Sequence, residues 1–406
     1  MARTSHNYKR WACAAVAIAT IAGTAALPTS ATASVPATSA TASVPATSAS
    51  STVSSRHWIN EQVDFVLAKQ LESGAILSTG TRISPYFANI SAVGLIAADT
   101  RASREGALRW MQWYLDHLNA TSSNVPANSV FDYVYNPVAK TETPTGDFDS
   151  VDSYASTALN LAYSAYASGD TKLRGFVSKN IGMYEAVAKI LTYGAPTGVR
   201  IQAGSVDADL TIAKPSYPIA YTMDNVEVYS GLADLARLEA LLSRGARSAY
   251  YSSWAGTTKQ AIMAKLWNPT NNNWDWAYAN PSNTNVFYPQ GTVQLWPIIF
   301  GVVTSTDPQA ISTWAQFSAS YPTWYAGGTP DSYPWVSMAR AAQIMGESAH
   351  AIGYLTDVHS RYAPGFSQPS SCGNTVCGDW YDAEAGWFIL AATSPFNGHN
   401  AGEYAR

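Results

Sequence analysis

Charged residues are scarce in this chain of 406 residues. They make up 13% of it, which is about half the share usual in soluble domains. The formal net charge of −4 provides no basic face for nucleic acid. No GxGxxG, P-loop, HExxH or GxSxG pattern stands in a functional context. We therefore expect no nucleic-acid partner, no cofactor and no required metal.

Cysteine is also rare, with three in the whole chain. Cys13 lies in the apolar N-terminal run described below, which leaves Cys372 and Cys377 in the stretch SSCGNTVCGDW. In an exported protein two cysteines around a short turn predict a local disulfide. A two-ligand metal site is the alternative, although no histidine lies nearby in the sequence.

The N-terminus has the pattern of a targeting segment. A positive region contains Arg3, Lys9 and Arg10, an apolar run covers 11–27, and Ala31-Thr32-Ala33 resembles a cleavage site. This pattern predicts a secretory signal peptide over 1–33 and a secreted, extracellular protein. An uncleaved anchor is the alternative, but the run is rather short for a membrane span.

A low-complexity tract follows the signal. The motif ATASVPATS occurs twice in succession, and residues 34–55 consist mainly of Ala, Ser, Thr and Pro. Such a tract cannot bury a core, so we predict a disordered linker. The predicted catalytic domain covers 56–406, and we expect a monomer without membrane contact after signal cleavage.

Helical spacing of apolar residues dominates from residue 56 onward, with almost no strand-like alternation. About twelve helical segments are predicted, at 58–72, 83–98, 102–118, 150–168, 171–192, 224–243, 245–266, 290–303, 307–320, 332–345, 347–360 and 380–393.

The connections between these segments alternate in length. Those after even-numbered segments are short, at 99–101, 169–170, 304–307 and 346, whereas those after odd-numbered ones are long, at 73–82, 119–149, 193–223, 267–289, 321–331 and 361–379. This alternation predicts an all-α fold of six helical hairpins closed into an (α/α)6 barrel. The even helices would form the inner ring, and the long loops would share one end and build a cleft there.

Carboxyl groups collect where the predicted inner helices begin. The stretch GDFDSVDSYAST contains Asp149 and Asp152, the sixth helix begins with Asp224 and Glu227, and the twelfth with Asp382 and Glu384. Helix capping and the helix dipole offer a structural explanation for each of them. The odd-numbered helices carry no comparable clusters, however, which favours function for the set.

Aromatic and amide side chains accompany these acids. The candidate substrate-binding residues are Tyr86, Asn89, Tyr154, Asn225, Trp274, Trp276, Trp324, Trp335 and Trp380. Aromatic rings stack on sugar faces while carboxylates bind hydroxyls, although packing in the core or loops is an equally good explanation for each Trp. Glycoside hydrolysis needs two carboxyl groups across the scissile bond. The candidate catalytic residues are Asp152, Asp224, Asp149, Glu227, Asp382 and Glu384.

The layout resembles the six-hairpin glycosidase superfamily of (α/α)6 barrels over about residues 56–395. The phrases that carry the resemblance are GAILSTGTRISPYFAN, DSVDSYASTALNLAYSAYASGD, MDNVEVYSGLADLARL, LWNPTNNNWDWAY and DAEAGWFILA. The resemblance implies catalytic carboxylates at inner-helix starts.

Different members of the superfamily imply different catalytic groups. Glucoamylase-like members imply Asp224 or Glu227 with Asp382 or Glu384. Unsaturated glucuronyl hydrolases imply Asp149 or Asp152 as proton donor, and the same stretch loosely resembles family 8 endoglucanases, whose Glu-bearing acid motif is not evident here.

We therefore predict a secreted glycoside hydrolase that cleaves an extracellular polysaccharide or oligosaccharide. A polysaccharide lyase is an alternative, but the inner-helix clusters contain no histidine, and Arg82 and Arg200 are the only loop arginines that suit a uronate. A non-catalytic glycan-binding barrel is a second alternative. An isoprenoid cyclase is disfavoured because its acid and metal motifs are absent.

Overall fold

The computed structural model describes residues 50–122, 124–326, 331, 333–362, 366 and 380–393, with side chains from residue 56 onward. The α-helices in this part of the chain are α1 (Ser50–Ala68), α2 (Pro85–Ala98), α3 (Arg101–Asp116), α4 (Val151–Ala167), α5 (Thr171–Thr192), α6 (Thr222–Leu241), α7 (Gly245–Lys265), α8 (Trp296–Ile299), α9 (Pro308–Ser320), α10 (Ser337–Ile344), α11 (Ser348–Tyr362) and α12 (Asp382–Thr393).

The even-numbered helices form a closed ring. Each of α2, α4, α6, α8 and α10 packs against the next even helix, and α12 packs against α2. The odd helices α3, α5, α7 and α11 pack on the preceding even ones. Burial follows this division, since residues 382–392 of α12 are all buried, whereas α7 buries one face. The predicted all-α barrel with even inner helices is confirmed.

The order of the ring places particular helices opposite one another. In the sequence α2, α4, α6, α8, α10, α12, each helix faces the one three places further on. Helix α6 therefore faces α12 across the barrel, and α2 faces α8. Side chains of Tyr86 from α2 and Trp296 from α8 meet at Glu227 of α6.

Short strands occur inside the long loops, where the sequence pattern showed none. Strands β1 (Arg82–Ile83), β2 (Tyr133–Asn136) and β3 (Thr141–Pro144) form an antiparallel sheet in that order, and Arg82 pairs with Val134. Strands β4 (Trp267–Asn268) and β5 (Asn273–Trp274) form a second pair.

Two predicted helices are shorter than expected. The predicted helix 290–303 is broken, and its regular part is α8. Pro297 has no N–H for the carbonyl of Val293, and Gly301 leaves the helical region with φ +73°. The predicted helix 332–345 begins only at Ser337, because Pro334 disfavours a helical residue before it and Trp335 is left-handed with φ +51°.

Several predictions concern residues outside the described ranges. These are the signal peptide 1–33, most of the linker 34–55 and the disulfide between Cys372 and Cys377. Helix α1 begins at Ser50, earlier than the predicted domain start at 56, and the chain from Ser51 onward forms one unit by internal contacts. Among the described helices, none combines the length and apolarity that a membrane crossing requires.

Candidate active site

Side-chain N-caps are few in this barrel, and α7 and α9, which begin at the short-loop end, have none. At the short-loop end, the Thr100 hydroxyl accepts from the N–H of Ser103 and caps α3, and Asp170 caps α5 through two backbone N–H groups. At the long-loop end, α2, α4 and α6 have no side-chain cap bond. The acids Asp149, Asp152, Asp224 and Glu227 therefore do not serve as N-caps of α4 and α6.

A serine hydroxyl joins two carboxyl groups from neighbouring inner helices. Ser150 stands at the N-cap position of α4 without capping it. Its Oγ lies 2.6 Å from Asp152 Oδ1 and 2.6 Å from Asp224 Oδ2. Breaking a local capping rule in this way is characteristic of functional sites.

Asp152 is fully buried and held by several donors. The Thr211 hydroxyl donates to its Oδ2 at 2.7 Å, and the backbone N–H of Ser153 donates to its Oδ1 at 3.0 Å. Burial raises its pKa to about 6, against the hydrogen bonds from Ser150 and Thr211, which favour the charged form. With 0% of its surface exposed, Asp152 lies behind the surface of the cleft.

Asp224 is the more accessible member of the pair. It lies in the first turn of α6 and is partly exposed. Burial, followed by the neighbouring charges of Asp152 and Glu227, raises its pKa well above the usual range of a carboxyl. Burial and the neighbouring carboxyls therefore favour the protonated form of Asp224, and the residue is partly exposed.

Glu227 lies at the centre of the ring. Its Oε1 accepts from Tyr86 OH at 2.6 Å and from Trp296 Nε1 at 2.8 Å. Since Tyr86 belongs to α2 and Trp296 to α8, donors from opposite helices meet on this one carboxyl oxygen. Its Oε2 is buried, and burial raises its pKa to about 7 against hydrogen bonds from Ser153, Tyr86 and Trp296.

Glu384 occupies the opposite wall, at the start of α12. The backbone N–H of Val336 donates to its Oε2 at 2.7 Å, and Tyr381 OH donates to its Oε1 at 3.0 Å. Burial raises its pKa to about 7. Asp382 is also buried, and burial raises its pKa to about 7 against a hydrogen bond from Ser78.

Aromatic rings connect these carboxyl groups. Trp335 lies with its ring centroid 5.1 Å from that of Tyr288 and 6.4 Å from that of Trp296, and its Nε1 donates to Asp331. Its left-handed backbone is a strained state for a bulky residue, of the kind found at functional sites. Tyr86, Trp276 and Trp335 are all partly exposed, as contact with a sugar requires.

Tyr154 and Asp149 lie beside the pair at the entrance to α4. Tyr154 OH donates to Asp132 Oδ1 at 2.8 Å, and Asp132 forms an ion pair with Arg82. Asp149 is exposed and its N–H donates to Tyr154 OH. The expectation that Asp149 caps α4 is wrong, because the N-cap is Ser150.

Six predicted binding residues are buried. They are Asn89, Tyr154, Asn225, Trp274, Trp324 and Trp380. Asn89 joins three helices through bonds to Tyr154, Thr157 and Trp110. Asn225 holds the loop at Thr211, and the three tryptophans pack within the core. These placements favour structural roles over sugar contact.

Residues that sequence reasoning missed complete the site. Ser150 lies within the quoted Asp-rich stretch, and its spacing from Asp152 offered a weak signal. Thr211, Trp296 and Tyr381 offered none, because their roles depend on which loop and helix lie opposite. Among the described residues, no group of three or more His, Cys, Asp or Glu side chains has an arrangement suited to a metal ion.

The buried carboxyls make stability dependent on pH. Burial raises the pKa of Asp234 to about 7, as it does for Glu227 and Glu384, whereas unfolded carboxyls titrate near pH ~4. Unfolding therefore releases protons between these values, and the free energy of unfolding falls as pH rises through that window. We expect a Tm several degrees higher at about pH 5 than at about pH 8, measured by circular dichroism.

The variant Asp234→Asn provides the control for this dependence. It replaces one titrating group, deep in α6, with a neutral side chain of the same shape. The fall in Tm between the two pH values should become smaller. A Tm that rises across the same interval in the wild type would contradict the assignment of raised carboxyl pKa values.

Comparison with solved structures finds glycosidases of the same fold. A glycosidase variant in complex with glucose has a TM-score of 0.58 at 12% identity, covering 85% of this chain and 98% of that one. The GH63 mannosylglycerate hydrolase from Thermus thermophilus, in complex with glucose, has a TM-score of 0.56 at 12% identity, covering 82% and 99%. A rhamnosidase from Klebsiella oxytoca with rhamnose bound has 0.51 at 12%, covering 83% and 63%.

These similarities are in fold rather than in sequence. No protein-family model matches the chain, and no curated protein sequence matches it. At this identity the comparisons show a shared architecture, which confirms the resemblance to six-hairpin glycosidases at the level of the fold.

Proposed function

We propose that this protein is a secreted glycoside hydrolase that cleaves an extracellular polysaccharide or oligosaccharide. The observation that carries this proposal is that several carboxyl groups lie together at the long-loop end of the ring. There, Ser150 links Asp152 to Asp224, and Glu227 lies at the centre. The glycosidase fold neighbours support the reaction class, and the N-terminal signal pattern supports secretion.

Asp224 acts as the general acid in this proposal. Cleavage of a glycosidic bond needs a carboxylic acid that remains protonated at the working pH and reaches the leaving oxygen. Asp224 has a raised pKa and is partly exposed, so it meets both requirements. Asp152 meets only the first, because it is fully buried.

Glu384 acts as the base that activates water. It is 2% exposed, so it works through a water molecule, whereas the acid must reach the glycosidic oxygen directly. The second carboxyl must flank the bond from the other side, and α12 lies opposite α6 in the ring. Glu227 belongs to the same helix as Asp224, one turn further on, and so lies on the same side as the acid. Burial holds the pKa of Glu384 at about 7, so kcat should rise as pH increases through that value.

The remaining groups bind the sugar. Glu227 holds Tyr86 and Trp296 in place at the floor of the proposed site. The partly exposed rings of Tyr86 and Trp335 provide apolar faces for stacking.

The placement of Arg200 and of three histidines counts against a lyase, and Arg82 is engaged in an ion pair with Asp132. Arg200 is buried, and its guanidinium donates to the carbonyls of Leu191 and Asp209 and to Thr258, so it does not face a uronate. His350 and His359 belong to the outer helix α11, and His117 is stacked on Trp113 of α3.

The test is turnover of glycans by the secreted protein and by Glu384→Gln. We expect new reducing ends from at least one member of a panel of plant, fungal and bacterial polysaccharides. Loss of the base should reduce the rate by about a hundredfold or more. The matched control is Glu347→Gln, which changes a carboxyl between α10 and α11 that accepts from Trp314 Nε1 and should retain the wild-type rate.

Other results would redirect the proposal. Unsaturated uronates without new reducing ends would establish a lyase. Binding of a glycan with neither signal would establish a non-catalytic barrel. Full activity of Glu384→Gln would overturn its assignment as the base.

A further inference from the structure

The bridge between Asp152 and Asp224 contains more acceptors than one hydroxyl can satisfy. Ser150 Oγ lies within hydrogen-bond distance of an oxygen of each carboxyl. A serine hydroxyl has a single proton to donate. Two short contacts therefore require a second proton on one of the two carboxyls, which would donate to Ser150 Oγ.

The surroundings decide which carboxyl carries that proton. Asp152 accepts from Thr211 Oγ1 and from the backbone N–H of Ser153 in addition to Ser150, and such donors stabilise a carboxylate. Asp224 has its hydrogen bond with Ser150. The negative charge thus belongs on Asp152, and the proton belongs on Asp224.

We propose that Asp152 and Asp224 share one proton through Ser150, and that Asp152 is a positioning residue whose fixed negative charge keeps this proton on Asp224. This inference rests on the proposed function, in which Asp224 is the general acid. It assigns Asp152 a role without substrate contact. Ser150 then joins the two carboxyls, and Thr211 stabilises the charge of Asp152 by donating a hydrogen bond.

The charges around the pair are consistent with this division. Asp224 faces Asp152 and Asp149 from the entrance to α4, and Glu227 from its own helix, all of which oppose its ionisation. Arg200, from the loop before α6, is the cation that interacts with Asp152. The anionic form is therefore supported on Asp152 and opposed on Asp224.

The negative charge of Asp152 also favours reprotonation of Asp224 after each turnover. Asp224 gives its proton to the glycosidic oxygen as the bond to the anomeric carbon breaks, and Glu384 takes a proton from the attacking water. Asp152 and Asp224 are then both anionic with a single hydroxyl proton between them, which is unfavourable. This repulsion drives the partly exposed Asp224 to take a proton from solvent.

The test is the pH dependence of kcat/KM for Asp152→Asn. In the wild type the basic limb reports ionisation of Asp224. Removal of the neighbouring charge should move this limb to lower pH by about one to two units. Thr211→Val, which removes one donor to Asp152 and keeps its charge, should move the limb in the same direction by less.

The control is Asp234→Asn, which removes another buried carboxyl of α6 that bonds to Asn160 and Arg237. Its basic limb should coincide with that of the wild type. If the basic limb of kcat/KM lies at the same pH in Asp152→Asn, Thr211→Val and the wild type, the inference is overturned, even with the hydrolase established. A purely structural Asp152 would change Tm but not the limb.

A measurement without substrate separates this inference from the proposed function. The infrared C=O absorption of protonated carboxyls is followed against pH in the wild type, Asp224→Asn and Asp152→Asn. We expect the wild type to show a protonated-carboxyl component at neutral pH that Asp224→Asn lacks. As pH rises, this component should disappear at a lower pH in Asp152→Asn than in the wild type. Absence of an Asp224 component at neutral pH would overturn the shared proton, whatever the substrate proves to be.

Discussion

Replacing Asp224 with asparagine should lower kcat by about a thousandfold or more. Asparagine has the same shape as a neutral aspartic acid but no proton to give to the leaving oxygen. In the proposed role Asp224 carries a proton, which burial and the neighbouring carboxyls favour, so the substitution removes no charge. Tm should therefore stay the same or rise, and the loss should appear in kcat more than in KM, as measured by initial rates of reducing-end release.

Asp170→Asn is the matched control for this loss. Asp170 also stands at the start of a helix, but it caps α5 at the short-loop end, and asparagine is an equally good N-cap. The control should retain the wild-type kcat and Tm. An Asp224→Asn protein that keeps its activity would contradict the role of general acid, and a collapse of Tm would indicate that Asp224 serves the fold instead.

Replacing Gly386 with alanine should lower the free energy of unfolding by about 3 kcal/mol. An added Cβ would lie 2.7 Å from the carbonyl oxygen of Ile90 and 2.7 Å from the Cα of Ser91. Both atoms belong to the backbone of α2, so no side chain can rotate away. The two inner helices α2 and α12 must separate, and the ring closes through this contact.

Gly182→Ala provides a control of opposite sign. Gly182 lies within the outer helix α5, and a Cβ there would meet nothing within 4 Å. Alanine in a helix interior is favoured over glycine by about 0.5–1 kcal/mol, so this variant should be slightly more stable. Denaturant unfolding measures the stability of both variants. Similar unfolding midpoints for Gly386→Ala and Gly182→Ala would show that α2 and α12 accommodate the added methyl group without loss of stability.

Local rules in the sequence sufficed for much of the architecture. Apolar periodicity placed nearly every helix, and the alternation of short and long connections identified the inner ring. Both signals are local, because a helix satisfies its own backbone hydrogen bonds and a short linker forces its two helices side by side. The prediction failed where a proline or a left-handed residue broke the pattern, at Pro297 and at Trp335.

Local rules also identified the carboxyl clusters but not the roles within them. Asp149 and Asp152 have the same spacing as Asp224 and Glu227, yet Asp149 is exposed, Asp152 is buried, and Glu227 lies at the barrel centre. The tryptophans divide in the same way, since Trp324 belongs to the core and Trp335 to the cleft.

The sequence by itself determined the helices, their hairpins and the end of the barrel that collects acidic groups. Only the tertiary structure decided which acids meet, because the partners of Ser150, Glu227 and Glu384 come from other helices or loops. Burial and the donors around a carboxyl set its protonation state. Both depend on the closing of the ring, which brings together residues far apart in the chain.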